Sequence, residues 1–228
     1  MRGARGRGYA LCVPADDGHL QEPAFYFDLA SPDCYLAAER ILQLLPTPLQ
    51  WQPISLREVH SGAFDADADR ARWTLEAERQ DLQALRLPAQ FPFDSHRAML
   101  AATYAMNIGR TVAFAQAAFR QAFAGGHSLA DEQYVLIAGA ACEMHPVALL
   151  RALDSRAIAA QLAQASDDAA ATGVTELPAV RVAGRLFLGA TCLDAAAAHL
   201  RTESRHTVPA GATEPALKIT RSAEALAR

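Results

Sequence analysis

Cysteine is scarce in this sequence. There are four in 228 residues, Cys12, Cys34, Cys142 and Cys192, all far apart. None of them stands at the short spacing from another that a zinc site requires, which argues against a structural metal. Long apolar runs are also missing. Nothing approaches the ~20 residues of a membrane span, and the opening MRGARGRGYALCVPADDGHL lacks a signal peptide's apolar middle. The expectation is a cytoplasmic protein with no membrane partner, in a reducing compartment that keeps its thiols free. Charge of one sign is absent too: 21 Lys and Arg stand against 25 Asp and Glu, a net charge of −4. That balance creates no field attractive to nucleic acid or anionic lipid. What remains is a small-molecule or protein partner.

What is present points to helices. The hydrophobic fraction is 51%, but alanine inflates it, and alanine strengthens helices more than it fills cores. The length suits one ordinary domain plus an elaboration. Residues 1–23 and 203–228 show little periodicity and read as tails, the second with a short helix in SAEALAR. No internal repeat is evident.

Between the tails the chain divides into three. In residues 24–63, AFYFDL is a nearly continuous apolar run, expected for a strand buried on both faces. After it, Cys34, Ala37, Ala38, Ile41, Leu42 and Leu45 mark one face of a helix. Pro46 and Pro48 stop that helix, and LQWQPISL then alternates as a short strand with Pro53 near its end. Strand, helix and strand at this spacing make a right-handed βαβ unit. Residues 64–172 read as a succession of helices, with Asp94 or Ser95 as a cap, Gly109 and Gly125-Gly126 as stops and Pro146 in a first turn. In residues 173–202, LPAVRVAGRLFLG offers two strands joined near Ala183-Gly184, and CLDAAAAHL a final helix. The order βαβ, helical block, ββα predicts an α/β protein with a thioredoxin fold split by an all-helical insertion.

The chemistry centres on Ser31-Pro32-Asp33-Cys34, where a strand runs into a helix. A helix N-terminus offers unpaired N–H donors and the positive end of a dipole, so an anion placed there is stabilised. A thiolate is such an anion, and with serine in first position the hydroxyl can donate to a thiolate supplied from outside. Spacing alone favours the plainer role of Ser31 as an N-cap. Cys34 stands where a redox protein carries its resolving cysteine. Disulfide exchange needs an attacking thiolate as well, and the helical face of Cys34 turns it toward the core, where its pKa rises.

Together FYFDLASPDCYLAAERI, WQPISL, the run from RAMLAATYA to GAACE, and GVTELPAVRVAGRLFLG resemble the DsbA-like superfamily. Within it the chain is most similar to 2-hydroxychromene-2-carboxylate isomerases and kappa-class glutathione transferases. The resemblance spans roughly residues 24–200 in order. It implies glutathione bound at the junction of the two parts, and a homodimer. Ser31 would hold the glutathione thiolate, Pro178 would be a cis proline, and Leu177 would hydrogen-bond the cysteinyl backbone. Thr191, with the amides of the last helix, would hold the γ-glutamyl end. Two departures stand out. Ala190-Thr191 replaces the relatives' Ser-Asp pair, and the stretch after Trp51 offers Arg57, His60 and Ser61 where the chromene isomerases use Lys and Asn. His60 and His96 lie near helix starts, where capping or solvation is their ordinary role. The leading reading is a glutathione-dependent isomerase or transferase acting on a small apolar or aromatic substrate. The alternatives are a DsbA-like thiol-disulfide oxidoreductase working through Cys34, and a non-catalytic binding protein of the same fold.

Overall fold

The structure, a computed structural model, describes residues 12–14, 22–55 and 66–206. Its centre is a five-stranded sheet in the order β1-β5-β4-β2-β3. Strand β2 (Ala24–Phe27) is buried at every position, as its unbroken apolar run requires. Helix α1 (Pro32–Leu44) follows, its cap amide at Leu45 bonding Ile41 O before Pro46. It carries the chain to β3 (Gln50–Pro53), which lies parallel to β2 with Phe27 opposite Pro53. Because β3 is an edge strand, the missing N–H of Pro53 costs no ladder bond. β4 (Ala179–Val182) runs antiparallel to β2, and β5 (Arg185–Leu188) antiparallel to β4. The two-residue link Ala183-Gly184 has φ of 49° and 70°. Both values are positive, which is the geometry that matches the twist of a hairpin.

One part of the expected N-terminal tail is corrected. Cys12–Pro14 forms β1 and pairs antiparallel with β5, Val13 opposite Leu186. A three-residue strand ending in proline carries no readable alternation. What recruits it is the row of unpaired backbone groups that β5 would otherwise present at the sheet edge.

The helical block contains α2 (Ala66–Arg79), α3 (His96–Asn107), α4 (Thr111–Phe119), α5 (Glu132–Ala141), α6 (Pro146–Leu153) and α7 (Arg156–Ala171). α3 is its axis. Ala98, Ala101, Ala102 and Ala105 are all fully buried, and side chains this small let neighbouring helices approach from several sides. α2 ends at Arg79, and the chain then turns through Asp81 at φ 53°. After Phe119 the winding of α4 changes. Arg120–Ala124 is a π turn, with Gly125 N–H donating to Arg120 O at 2.8 Å. Phe119 and Phe123, on either side of its start, are both fully buried.

The two parts share one aromatic core. Phe25, Phe27 and Trp51 on one face of the sheet pack at centroid distances of 5.0–5.9 Å, and Phe27 meets Phe119 of α4 at 5.9 Å. Tyr35 of α1 meets Phe119 and Phe123. The insertion is therefore locked to the sheet directly behind the first turn of α1. The last helix, α8 (Cys192–His206), packs against α1 and the β4–β5 hairpin.

Candidate functional site

The chain leaves β2 through a tight turn. Ser31 N–H donates to Asp28 O at 3.1 Å, and Ala30 N–H to the Asp28 carboxylate at 2.8 Å. Leu29 N–H points at the Met99 sulfur of α3, 3.3 Å away. The turn delivers Ser31 to the mouth of α1 in extended geometry, φ −96° and ψ 116°. Its Oγ accepts from Cys34 N–H at 3.2 Å, so the expected cap is made. The side chain is 7% exposed. A capping oxygen still has a proton of its own, and here the Cys34 thiol lies within its reach.

Cys34 lies behind it with no exposure at all. Burial pushes its thiol well above the ordinary cysteine range; contacts with Ser31 and the Asp28 backbone offset this only in part, and the charges of Asp28 and Asp33 add to it. Cys192, the first residue of α8, is equally buried and its pKa is raised for the same reason. Among the described residues Cys34, Cys142 and Cys192 are free thiols. A neutral, enclosed thiol is a poor nucleophile.

The Leu177-Pro178 bond is cis, as the resemblance implies for Pro178. The register Tyr26↔Ala179 places Pro178 alongside Phe27, so this bond sits next to the turn that carries Ser31. Pro178 O accepts from Gly189 N–H at 2.8 Å. Gly189 has φ +76°, and a Cβ there would lie 2.6 Å from a Glu176 carboxylate oxygen. Leu177 itself precedes the β4 ladder, and among the described residues its backbone N–H and C=O bond to nothing. A second cis bond, Phe91-Pro92, went unsignalled in the sequence.

Beside α1 a cavity of about 510 Å³ separates the first turns of α1 and α8 from α2. Asp33, Arg40, Arg72, Glu76, Thr191 and Asp194 line it. Arg72 holds both oxygens of Asp33, at 2.7 and 2.8 Å, and the indole of buried Trp73 donates to the same carboxylate at 3.0 Å. Arg40 binds Asp194 the same way, at 2.7 and 3.3 Å. Thr191 is exposed at the α8 mouth, and its C=O accepts from Ala195 N–H at 3.1 Å.

Of the residues anticipated from sequence, Ser31, Cys34, Leu177 and Pro178 gather at the carboxyl end of β2, and Thr191 lines the adjoining cavity. His60, Arg57 and Ser61 lie outside the described residues. His96 opens α3, its N–H held by the Asp94 carboxylate at 3.0 Å, and it does not line the cavity. Sequence reasoning missed Asp33, Arg40, Arg72 and Asp194. Their partners are 39 and 154 residues away, so no local pattern could pair them. The acid in the first turn of each of two facing helices was the available signal. Among the described residues no cluster of side chains suited to a metal occurs, and no helix is long and apolar enough to cross a membrane.

A family model described as the DSBA-like thioredoxin domain matches residues 24–201. The chain belongs to that family. The DSBA-like fold is also what the solved structures show. A 2-hydroxychromene-2-carboxylate isomerase superposes with a TM-score of 0.73 at 18% identity, over 81% of this chain and 96% of the other. A probable DsbA oxidoreductase from Streptomyces coelicolor gives 0.66 at 17% identity, over 85% and 94%. The cytosolic disulfide reductase DsbM from Pseudomonas aeruginosa gives 0.55 at 18%, over 81% and 98%, and has also been solved with GSH. Comparison with curated proteins by sequence finds no match. The DSBA-like neighbours thus include both isomerase and disulfide chemistry, and at these identities they establish the fold alone.

Proposed function

We propose that this DSBA-like protein is a glutathione-dependent isomerase or transferase acting on a small apolar or aromatic substrate. One observation carries the reading: the helix mouth presents a serine hydroxyl while the neighbouring thiols among the described residues, Cys34 and Cys192, are enclosed and their ionisation is opposed by burial. A thiolate at this place has to arrive with a ligand. Glutathione supplies such a thiol when bound.

The residues fit that group. Ser31 Oγ–H, by turning from Cys34 to a ligand, and Asp33 N–H, the first-turn amide of α1 without a partner among the described residues, can stabilise a negative sulfur. The unengaged backbone of Leu177 can pair with an extended peptide as an added strand. The cavity beside α1 offers Arg40 and Arg72 for carboxylates, and Asp33 and Asp194 for an ammonium. Thr191 takes over only the polar part of the relatives' Ser-Asp pair, and Asp194, one turn further on, restores a carboxylate to the same cavity. On this reading the chain's own residues lower the cost of the anion, fix the peptide's direction and leave the helical insertion to enclose the second substrate.

Disulfide chemistry through Cys34 has less in its favour, since the buried thiol would have to be both exposed and ionised before it could react. Calorimetric titration of glutathione separates the readings. Binding to wild type, weakened at least about tenfold in Ser31→Ala and unchanged in Cys34→Ala, is the expected result; absence of binding to wild type rejects the proposal. We read the protein as a cytoplasmic homodimer, and sedimentation equilibrium giving a monomer mass would reject the dimer.

A further inference from the structure

The two faces of the central sheet are unlike. In a sheet covered on both sides the strands are expected to be apolar on each face. Phe25, Phe27, Trp51 and Val180 meet this on the side of the aromatic core. The registers Ala24↔Gln50, Tyr26↔Gln52 and Ala24↔Arg181 put Tyr26, Gln50, Gln52 and Arg181 together on the other face. There the last turn of α7 leaves a cavity of about 460 Å³, lined by these four residues with Asp168 and Thr172. It lies at the amino end of β2, whereas Ser31 follows the carboxyl end.

The polar groups around this cavity are fixed but incompletely used. Tyr26 is 5% exposed, and its hydroxyl reaches both Thr172 and Arg181. The Arg181 guanidinium lies over the Tyr26 ring, 5.3 Å from its centroid, and donates from Nε and Nη2 to Glu22 O at 3.3 Å. Its hydrogen-bond partners are the Glu22 carbonyl and the Tyr26 hydroxyl, and among the described residues no carboxylate pairs with it. A planar cation held on one face and along one edge is preorganised for a carboxylate at the other. Gln52 uses its amide N–H on Pro53 O at 3.2 Å, leaving Oε1 as an acceptor, and among the described residues the Asp168 carboxylate is engaged only by Gln164 at 2.8 Å. Cation, acceptors and carboxylate thus border one cavity.

We propose that this cavity binds a small zwitterion of amino-acid or dipeptide type, its carboxylate on Arg181 and its ammonium toward Asp168 and the glutamine carbonyls. The site is separate from the one at Ser31, and either can exist without the other. The test is a titration of the full-length ¹⁵N-labelled protein with diglycine, acetate and ethylammonium, followed by amide shifts. Diglycine should bind saturably, shifting Tyr26, Thr172 and Arg181, and more tightly than either single-charge probe. Arg181→Ala should weaken diglycine by at least about tenfold, and Ser31→Ala should leave it unchanged. Asp168→Asn, which alters only an exposed group, should weaken diglycine but not acetate. No saturable diglycine binding, acetate binding as tightly as diglycine, or unchanged diglycine affinity in Arg181→Ala would each overturn the proposal. If Arg181→Ala does not fold, Asp168→Asn decides: diglycine affinity equal to wild type rejects the zwitterion.

Discussion

Helices α1 and α8 begin with the same ingredients. α1 opens Ser31-Pro32-Asp33-Cys34 and α8 opens Thr191-Cys192-Leu193-Asp194, each with a hydroxyl at the mouth, a buried cysteine and a first-turn aspartate. Each aspartate is held by an arginine using two nitrogens, Arg72 on Asp33 and Arg40 on Asp194. The hydroxyls differ. Ser31 is buried and caps Cys34 N–H, whereas Thr191 is exposed and its hydroxyl has no hydrogen bond among the described residues. The aspartates differ as well, since Asp33 also accepts from the enclosed Trp73 indole. The same local sequence chemistry is therefore enclosed in the fold at one helix and left open to solvent at the other.

The parallel between the two cysteines is the easiest to break, and the effect on it is the largest. If both are enclosed, alkylation of Cys34 and Cys192 by iodoacetamide in the native protein should run more than about 100-fold slower than in urea, because it waits on opening of the fold. Mass spectrometry of the labelled peptides reads this out, and fast native labelling of Cys34 would contradict its burial. The same burial fixes the sign of a pH effect. Both thiols have folded-state pKa values raised above the unfolded value of about 8.5, so the folded chain holds their protons more tightly. Their contribution to stability is complete below that pH and is lost as pH rises through the folded values. Urea midpoints at pH 7.5 and 9.5 should fall less in the double variant Cys34→Ala, Cys192→Ala than in wild type.

Next in size is the difference between the aspartates. Asp33→Ala removes two bonds to Arg72 and one from a buried indole, and should cost about 2–3 kcal/mol in urea unfolding, with a changed Trp73 fluorescence. Asp194→Ala breaks a pair that is 26% and 56% exposed, and should cost less than about 1 kcal/mol. Equal losses would mean that Trp73 adds nothing to the Asp33 site. The smallest effects distinguish the hydroxyls. Ser31→Ala should lose about 1 kcal/mol with the cap, and Thr191→Ala no more than about 0.5 kcal/mol. A larger loss at Thr191 would give its hydroxyl a structural partner.

Much of this was legible in the chain. Apolar runs, helical spacing and proline stops place β2, α1, β3, the β4–β5 hairpin and α8, since periodicity reports directly on which side of an element is buried. β1 escaped because three residues hold no period, and the π turn at Arg120 escaped because a one-residue shift in hydrogen bonding barely alters which positions share a face. Within the site, Ser31, Cys34 and Pro178 stand at positions a motif can mark. Arg72 and Arg40 do not, because their roles exist only when α2 and α8 close on α1.

The sequence by itself determined the order of elements, the serine at the helix mouth and the absence of a CxxC dithiol there, since each is written in neighbouring residues. Tertiary structure alone decided that two aspartates are bridged by arginines from other helices, and that one face of the sheet keeps a polar cavity. Those properties depend on burial and on distances across the fold. Residues as far apart as Tyr26 and Arg181 acquire a shared environment only once β2 and β4 pair.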